Sequence, residues 1–150
     1  MKPEFAGIER RLDRLNECLH KLEPLRDKTL DEFLADSYLR DIVERNLEIA
    51  AQCCIDIGNR IISLEDAPRP RDSYESLLRL GEIGILPIDF ARQIAPLGGF
   101  RNILVHDYLI IDPAIVHQRW TEGLGDFDDF GKVIADFIEK HETENKESSE

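Results

Sequence analysis

The sequence predicts an all-α domain, and three observations support that fold class. Apolar residues recur at steps of three and four through most of the chain, as they do along one face of a helix. No stretch alternates apolar and polar residues in the manner of a half-buried strand. The 7 prolines and 9 glycines gather at a few breaks between the periodic stretches. We therefore expect an antiparallel bundle of about five helices.

Two long helices are predicted in the first half of the chain, with a short helical turn between them. Residues 4–23 repeat apolar side chains at helical spacing and end near Pro24, which cannot continue a helix. The sequence 29-TLDE-32 has the capping-box pattern that opens a helix. Residues 38–65 hold an apolar stripe over about eight turns, roughly 40 Å at 1.5 Å per residue. A helix of that length can form the spine of the domain.

Prolines and glycines mark the helix boundaries that follow. The loop 66-DAPRPRDS-73 precedes a short helix that ends at Gly81 and Gly84. Pro87 suits the first turn of the next helix, which runs towards Ala95.

The last part of the chain begins after 96-PLGG-99, which predicts a kink or a short break. Asp112 and Pro113 are a typical N-cap and first position for the last helix. We expect that helix to end near Lys140 and to be loosened by Gly123, Gly125 and Gly131.

The bulk properties limit the class of protein. Residues 1–140 form the predicted domain, and the polar residues 141–150 are expected to be a disordered tail. A net charge of −12 disfavours a protein that coats nucleic acid, because such proteins usually have a basic surface, although a small basic cleft is compatible with it. The N-terminus has no signal-peptide pattern, and no apolar run approaches the roughly 20 residues of a membrane span. Three cysteines without disulfide or metal spacing then favour the cytoplasm.

The segment 100-FRNILVHDYLIID-112 places four polar side chains in an otherwise mostly apolar run, namely Arg101, Asn102, His106 and Tyr108. On a helix, with about 100° per residue, all four lie within an arc of about 160°. Arg101 and His106, however, point about 140° apart. A second copy of the chain across a two-fold axis would bring them together more easily than one helix can.

These side chains are suited to phosphodiester chemistry. A guanidinium presents a planar fork to phosphate oxygens, and an imidazole can accept or donate a proton near neutral pH. Together they fit cleavage of RNA by its own 2′-hydroxyl without a metal ion. The spacing alone favours the structural alternative, in which these side chains cap carbonyls, bridge to acidic neighbours or pack half-buried.

The motif resembles that of a known family. The segment 101-RNILVHDY-108 is similar to the R-x4-6-H motif of HEPN domains, in the R-x4-H-x-Y form of HepT-like toxins. The order of helices and loops also resembles that family over roughly residues 4–140. The resemblance implies an all-α homodimer whose motif segments meet in a cleft, and a toxin that acts as a metal-independent ribonuclease. It also implies a minimal nucleotidyltransferase antitoxin, MntA-like, which silences the toxin by transferring AMP from ATP onto the motif tyrosine.

Carried onto this chain, the resemblance makes Arg101 and His106 the catalytic pair, Asn102 a supporting polar group and Tyr108 the acceptor of AMP. It implies no cofactor and no metal. The implied partners are RNA, the antitoxin and a second copy of the chain, and a larger hetero-oligomer with the antitoxin stays open.

Two other functions stay open beside this hypothesis. One is a non-catalytic HEPN module that binds a nucleotide, an RNA end or the antitoxin. The other is a helical dimerisation domain whose polar segment only caps and packs.

Other features favour structural roles. The carboxylates of 126-DFDDF-130 are interpreted as a solvated helix face, since no histidine or second acidic cluster accompanies them. Cys53 and Cys54 are expected in the core or a dimer contact, and Trp120 as a buried anchor. The long helix also carries Arg40, Arg45 and Arg60. A local basic rim that includes Arg40 and Arg60 is a further hypothesis, and a solvated surface is the alternative for each arginine.

Overall fold

Helices make up nearly all of the part of the chain that the computed structural model describes, residues 3–149, with side chains described from residue 5 to residue 144. In chain order the α-helices are α1 (Pro3–Leu22), α2 (Leu30–Ala35), α3 (Ser37–Leu64), α4 (Ser73–Glu82), α5 (Ile88–Ile94), α6 (Leu97–His106), α7 (Pro113–Thr121) and α8 (Leu124–Ser149). Five of them, α1, α3, α4, α6 and α8, have ten residues or more. The prediction of an all-α bundle of about five helices is confirmed, and the other three are short connecting helices.

The predicted starts of the early helices are present. A short 3-10 turn, Glu23–Leu25, follows α1 at the predicted proline. The Thr29 hydroxyl accepts a hydrogen bond from the Glu32 backbone at 3.1 Å, and the Glu32 carboxylate accepts one from the Thr29 backbone at 3.2 Å. This is the predicted capping box. The Asp36 carboxylate then caps α3 by accepting from Leu39 N at 3.1 Å.

The long helix α3 is the spine of the fold, as predicted. It packs against α1, α2, α4, α6, α7 and α8. One face buries a continuous row of side chains, among them Val43, Leu47, Ile57 and Ile61, each with no exposed surface. A helix in contact with nearly every other element fixes their relative positions, including that of the motif helix α6.

The break predicted at 96-PLGG-99 is present but begins one residue before that segment, at Ala95. A turn at Ala95 and Pro96 separates α5 from α6, and both glycines lie in the first turn of α6. Gly98 is needed there for packing, because a Cβ at this position would lie 2.5 Å from the carbonyl carbon of Ser73 in α4. The glycine therefore allows α6 to approach the start of α4.

The predicted last helix is two helices. It is interrupted at Glu122 and Gly123, where a Cβ on the glycine would lie 2.6 Å from the carbonyl oxygen of Arg119. The helix α8 also continues beyond Lys140, so the prediction of a helix end there was wrong. Glutamate, which is frequent in this stretch, is a good helix former. The division of the chain at residue 140 into a domain and a disordered tail stays a prediction.

The core holds the predicted aromatic anchor. Trp120 is fully buried, and its indole Nε1 donates a hydrogen bond to the carbonyl oxygen of Leu22 at 3.0 Å. Its ring centroid lies 5.7 Å from that of Phe33. This contact joins α7 to α1 and α2. Among residues 3–149, no helix is both long and apolar enough to cross a membrane.

Candidate active site

The four side chains of the predicted motif lie at one end of α6 and in the turn that follows it. Arg101 and Asn102 are in the middle of the helix, and His106 is its last residue. Asp107 ends the helix by donating its backbone N–H to the carbonyl oxygen of Ile103 at 2.9 Å. Tyr108 lies in the next turn. The motif is therefore divided between a rigid helix and a short connection to α7.

Arg101 is half-buried and oriented by its neighbour. Its Nη1 donates a hydrogen bond to Oδ1 of Asn102 at 2.7 Å. Its Nε is buried without a hydrogen-bond partner among the described residues. Arg101 also forms no ion pair with any carboxylate of residues 5–144, so its positive charge is available for a ligand.

A shallow groove beside Arg101 is formed by the facing surface of α3. Arg45, Glu48 and Gln52 line it, together with Val105 of α6. Arg45 forms an ion pair with Glu48, which partly neutralises both charges. The side-chain oxygen of Gln52 is buried and has no partner within the described chain. The groove is thus lined by the cation of Arg101 and by Gln52, whose buried acceptor is unpaired.

The other two motif side chains face solvent. His106 is exposed, and its imidazole forms no hydrogen bond with a described residue. Tyr108 is 63% exposed. Arg101 lines the groove against α3, whereas His106 is exposed at the end of α6. This agrees with their angular separation of about 140° on a helix.

Apolar side chains surround the motif and are unusually exposed. Leu109 is 86% exposed, Ile110 is 81% exposed and Ile103 is 41% exposed. Tyr38 and Ile42 are also exposed on α3, which packs against α6. Large exposed apolar patches commonly mark protein–protein interfaces.

The structure separates the arginines of the predicted basic rim. Arg45 lies in the groove beside Arg101, while Arg40 is half-buried and Arg60 is exposed. The last two lie about 30 Å apart along α3, at 1.5 Å per residue. They cannot form one local rim.

The acidic run 126–130 is held by neighbouring side chains. Asp126 accepts a hydrogen bond from the Gln93 amide at 2.7 Å, and Asp128 pairs with Lys132 at 2.9 Å. Within the described residues, no group of three histidines, cysteines or carboxylates is close enough together to hold a metal ion.

The three cysteines are free and buried. Burial raises the pKa of the Cys53 thiol to about 11 and that of Cys54 well above its ordinary value. These thiols therefore stay protonated near neutral pH, which agrees with their predicted role in packing.

Gln52 is one of the groove residues that the sequence analysis missed. It lies on the same face of α3 as Arg45 and Glu48, at the three- and four-residue spacing of a helix. That spacing was visible in the sequence, but nothing there indicated that α6 would lie against this face.

Comparison with known proteins places this geometry in a family. A tri-AMPylated HEPN toxin of Shewanella oneidensis, solved in complex with an MNT antitoxin, superposes with a TM-score of 0.78 and 27% identity, covering 90% of this chain and 98% of that chain. A tRNA nuclease HepT of Aphanizomenon flos-aquae is 33% identical over 138 residues, 92% of this chain and 94% of the relative. An mRNA nuclease HepT of Shewanella oneidensis is 32% identical over 103 residues, 69% of this chain and 77% of the relative. The family model of HepT-like ribonucleases matches residues 15–134. The chain belongs to the HepT-like ribonuclease family.

Proposed function

We propose that this chain is the toxin of a toxin–antitoxin pair and cleaves RNA without a metal ion, with Arg101 and His106 as its catalytic residues. The observation that carries the proposal is the state of Arg101, which Asn102 orients through a 2.7 Å hydrogen bond while no carboxylate of residues 5–144 forms an ion pair with it. An exposed imidazole at the end of the same helix supplies the second group. The names of two relatives, a tRNA nuclease and an mRNA nuclease, support RNA as the substrate class.

The chemistry requires only proton transfer and charge stabilisation. The 2′-oxygen of a ribose attacks the adjacent phosphorus, and the bond from phosphorus to the 5′-oxygen of the next nucleotide breaks. The 2′-hydroxyl loses its proton to an imidazole, the departing 5′-oxygen gains one, and a cyclic phosphate is left. His106 carries the protons, and Arg101 stabilises the charge that develops on the phosphate oxygens.

The active site is completed by a second copy of the chain. Arg101 and His106 of one chain face apart, and exposed apolar side chains surround the motif, among them Leu109 and Ile110. A two-fold interface over this surface buries those side chains and places the Arg101 of one copy near the His106 of the other. Asn102 then supports the reaction by holding Arg101 in position.

Silencing acts at Tyr108. The phenol is 63% exposed at the end of the motif, so a nucleotidyltransferase antitoxin can reach it and transfer AMP from ATP. The AMPylated toxin with its MNT antitoxin among the similar structures supports this step. The added phosphate brings bulk and negative charge to the mouth of the cleft, where it repels the RNA backbone and competes for Arg101.

We place the protein in the cytoplasm, where its three free cysteines stay reduced.

The test compares wild type with His106→Ala, both expressed without antitoxin and assayed on RNA in the presence of a chelator. Wild type is expected to cleave and to leave cyclic phosphate ends, and His106→Ala to be slower by about 10²–10⁴-fold. His20→Ala is the matched control, since His20 is an exposed histidine of α1 and should be dispensable. A folded, unmodified wild type that cuts no RNA would replace this proposal with the non-catalytic binding module.

A further inference from the structure

Five exposed arginines outside the motif line two adjoining grooves, and three of them have no ion-pair partner among the described residues. Arg10 of α1 and Arg60 of α3 line the groove between these helices. Arg69 lies in the loop after α3 and lines the second groove. The two grooves share Asn59 and Ser63, so they form one continuous depression along the end of α3.

The charge of this depression is concentrated in the α1–α3 groove. It contains three arginines, Arg10, Arg11 and Arg60, against one carboxylate, Asp56. Asp56 already accepts a hydrogen bond from the Gln52 amide at 2.7 Å and lies 3.6 Å from Arg11. Among the described side chains, neither of the other two arginines has an ion-pair partner. A groove with excess positive charge is unusual on a chain whose net charge is −12.

The loop end of the depression is closer to neutral. Arg71 is paired with Glu75 at 2.8 Å. Asp66 and Asp72 also line this end, and the Asp72 carboxylate caps α4. Only Arg69 is left there without a carboxylate partner among the described residues, so it extends the basic surface rather than forming its centre.

The basic groove is joined to the candidate active site along one face of α3. Gln52 lines the groove beside Arg101, and its amide donates to Asp56, which in turn pairs with Arg11. From Gln52 to Ser63 the distance along the helix axis is about 16 Å at 1.5 Å per residue. One strand of a double helix presents on the order of five phosphates over that length.

We propose that this α1–α3 groove binds the phosphate backbone of the RNA substrate outside the motif, with Arg10 and Arg60 as the principal contacts. The inference rests on the proposed ribonuclease function and adds a substrate-binding surface to it. Arginine forks match phosphate oxygens, and the surrounding acidic surface repels RNA elsewhere on the molecule. The groove therefore directs a strand towards Arg101 without reading its bases.

The test measures binding rather than cleavage. In the His106→Ala background, the affinity for a labelled tRNA is measured between about 50 and 200 mM salt. Each lost phosphate contact reduces the slope of log affinity against log salt by roughly 0.7–0.9. We expect that reduction for Arg10→Gln and for Arg60→Gln, and about twice that for the double variant.

Arg92→Gln is the matched control. Arg92 is an exposed arginine of α5 that lines none of the three grooves, and its substitution removes the same charge. The slope of log affinity against log salt for Arg92→Gln should equal that of the His106→Ala parent. Thermal unfolding of every variant verifies that these exposed substitutions leave the fold intact.

Several results would overturn the inference. In the first, the double variant has the same slope of log affinity against log salt as Arg92→Gln. In the second, the His106→Ala parent does not bind the tRNA. In the third, the variants lose antitoxin binding while the salt dependence of their RNA binding is unchanged. Cleavage by wild type is scored separately. If the slope is unchanged and wild type cleaves RNA, the groove is rejected and the proposed function stands. If the slope is reduced and wild type does not cleave RNA, the groove stands and the proposed function is rejected.

Discussion

Unpaired polar atoms are concentrated beside the motif. In the described part of the chain, the buried side-chain atoms without a hydrogen-bond partner are Nε of Arg40, Oε1 of Gln52 and Nε of Arg101. The last two line the same groove. A buried polar group without a partner costs about 1–3 kcal/mol. Such a cost at one surface groove is typical of a site that is completed by a ligand or by a second chain.

The fork of Arg101 should matter as much as its charge. In Arg101→Lys the positive charge is kept, but lysine offers a compact ammonium that cannot bind two phosphate oxygens or hold the contact with Asn102. We expect kcat for RNA cleavage to fall by about 10²-fold, with the thermal unfolding midpoint nearly unchanged. Steady-state kinetics with a labelled RNA measure this, and full activity of the lysine variant would contradict it.

Removing one hydroxyl should separate cleavage from silencing. Tyr108→Phe keeps the aromatic ring but offers no oxygen to the AMP donor. We expect this variant to cleave RNA and to stay active and unmodified after treatment with an MntA-like antitoxin and ATP. Intact mass and RNA cleavage are recorded on the same sample. Tyr74→Phe, at another exposed tyrosine, should be modified and silenced like wild type. Gain of AMP by Tyr108→Phe would assign the modification elsewhere.

At the scale of the helices, two adjacent glycines of α6 have different functions. A Cβ on Gly98 would lie 2.5–2.8 Å from backbone atoms of Ser73 and Tyr74 in α4, whereas a Cβ on Gly99 would meet nothing within 4 Å. The first glycine positions the motif helix by close packing. The second only adds conformational freedom to the unfolded chain and lowers helix propensity.

These glycines provide a matched pair of variants. Gly98→Ala should reduce the free energy of unfolding by about 1–3 kcal/mol and reduce cleavage, since α6 must move away from α4. Gly99→Ala should raise the free energy of unfolding by about 0.5–1 kcal/mol and keep activity. Urea unfolding and RNA cleavage measure both effects. Equal stability of the two variants would show that the α4–α6 contact is not tight.

The α1–α3 interface should also make stability depend on pH. Burial raises the pKa of Cys53 to about 11 from an ordinary value of 9.0. The thiol therefore ionises at a lower pH in the unfolded chain than in the folded one. Its contribution to the free energy of unfolding is complete below pH 9 and is lost as pH rises towards 11. Urea unfolding of wild type and Cys53→Ala across this interval should give stabilities that converge with rising pH. A difference in stability between wild type and Cys53→Ala that stays constant with pH would refute the assignment of this pH dependence to Cys53.

At the scale of the whole molecule, the proposed active site, with Arg101 and His106 as its catalytic residues, requires two chains. Each variant of the pair Arg101→Ala and His106→Ala is expected to be inactive alone. A mixed dimer contains one site with an intact Arg101 from one chain and an intact His106 from the other. Co-purified mixed dimers should therefore recover up to about half of the wild-type rate, because one of two sites is restored. No recovery in a verified mixed dimer would place both residues in one chain's site.

Features that depend on residues close together in the chain were predictable from the sequence, whereas contacts between distant residues required the structure. The all-α class, the capping box at Thr29, the start of α7 at Asp112 and the motif segment were predictable, because helical periodicity and capping are local properties. The break at Gly123 and the extension of α8 past Lys140 were missed. Single glycines and polar helix formers do not reveal locally whether a helix ends or continues.

What the sequence alone determined is therefore the set of helices, the buried stripe of α3 and the presence of the four motif side chains on and just after one helix. The tertiary structure alone decided that α6 lies on the Gln52 face of α3, that Gly98 is pressed against α4, and that Arg10 and Arg60 share a groove. The physical reason is that contacts between helices depend on how whole side-chain surfaces pack in three dimensions. The spacing of residues along the chain shows which face of a helix a residue occupies, but not which other helix packs against that face.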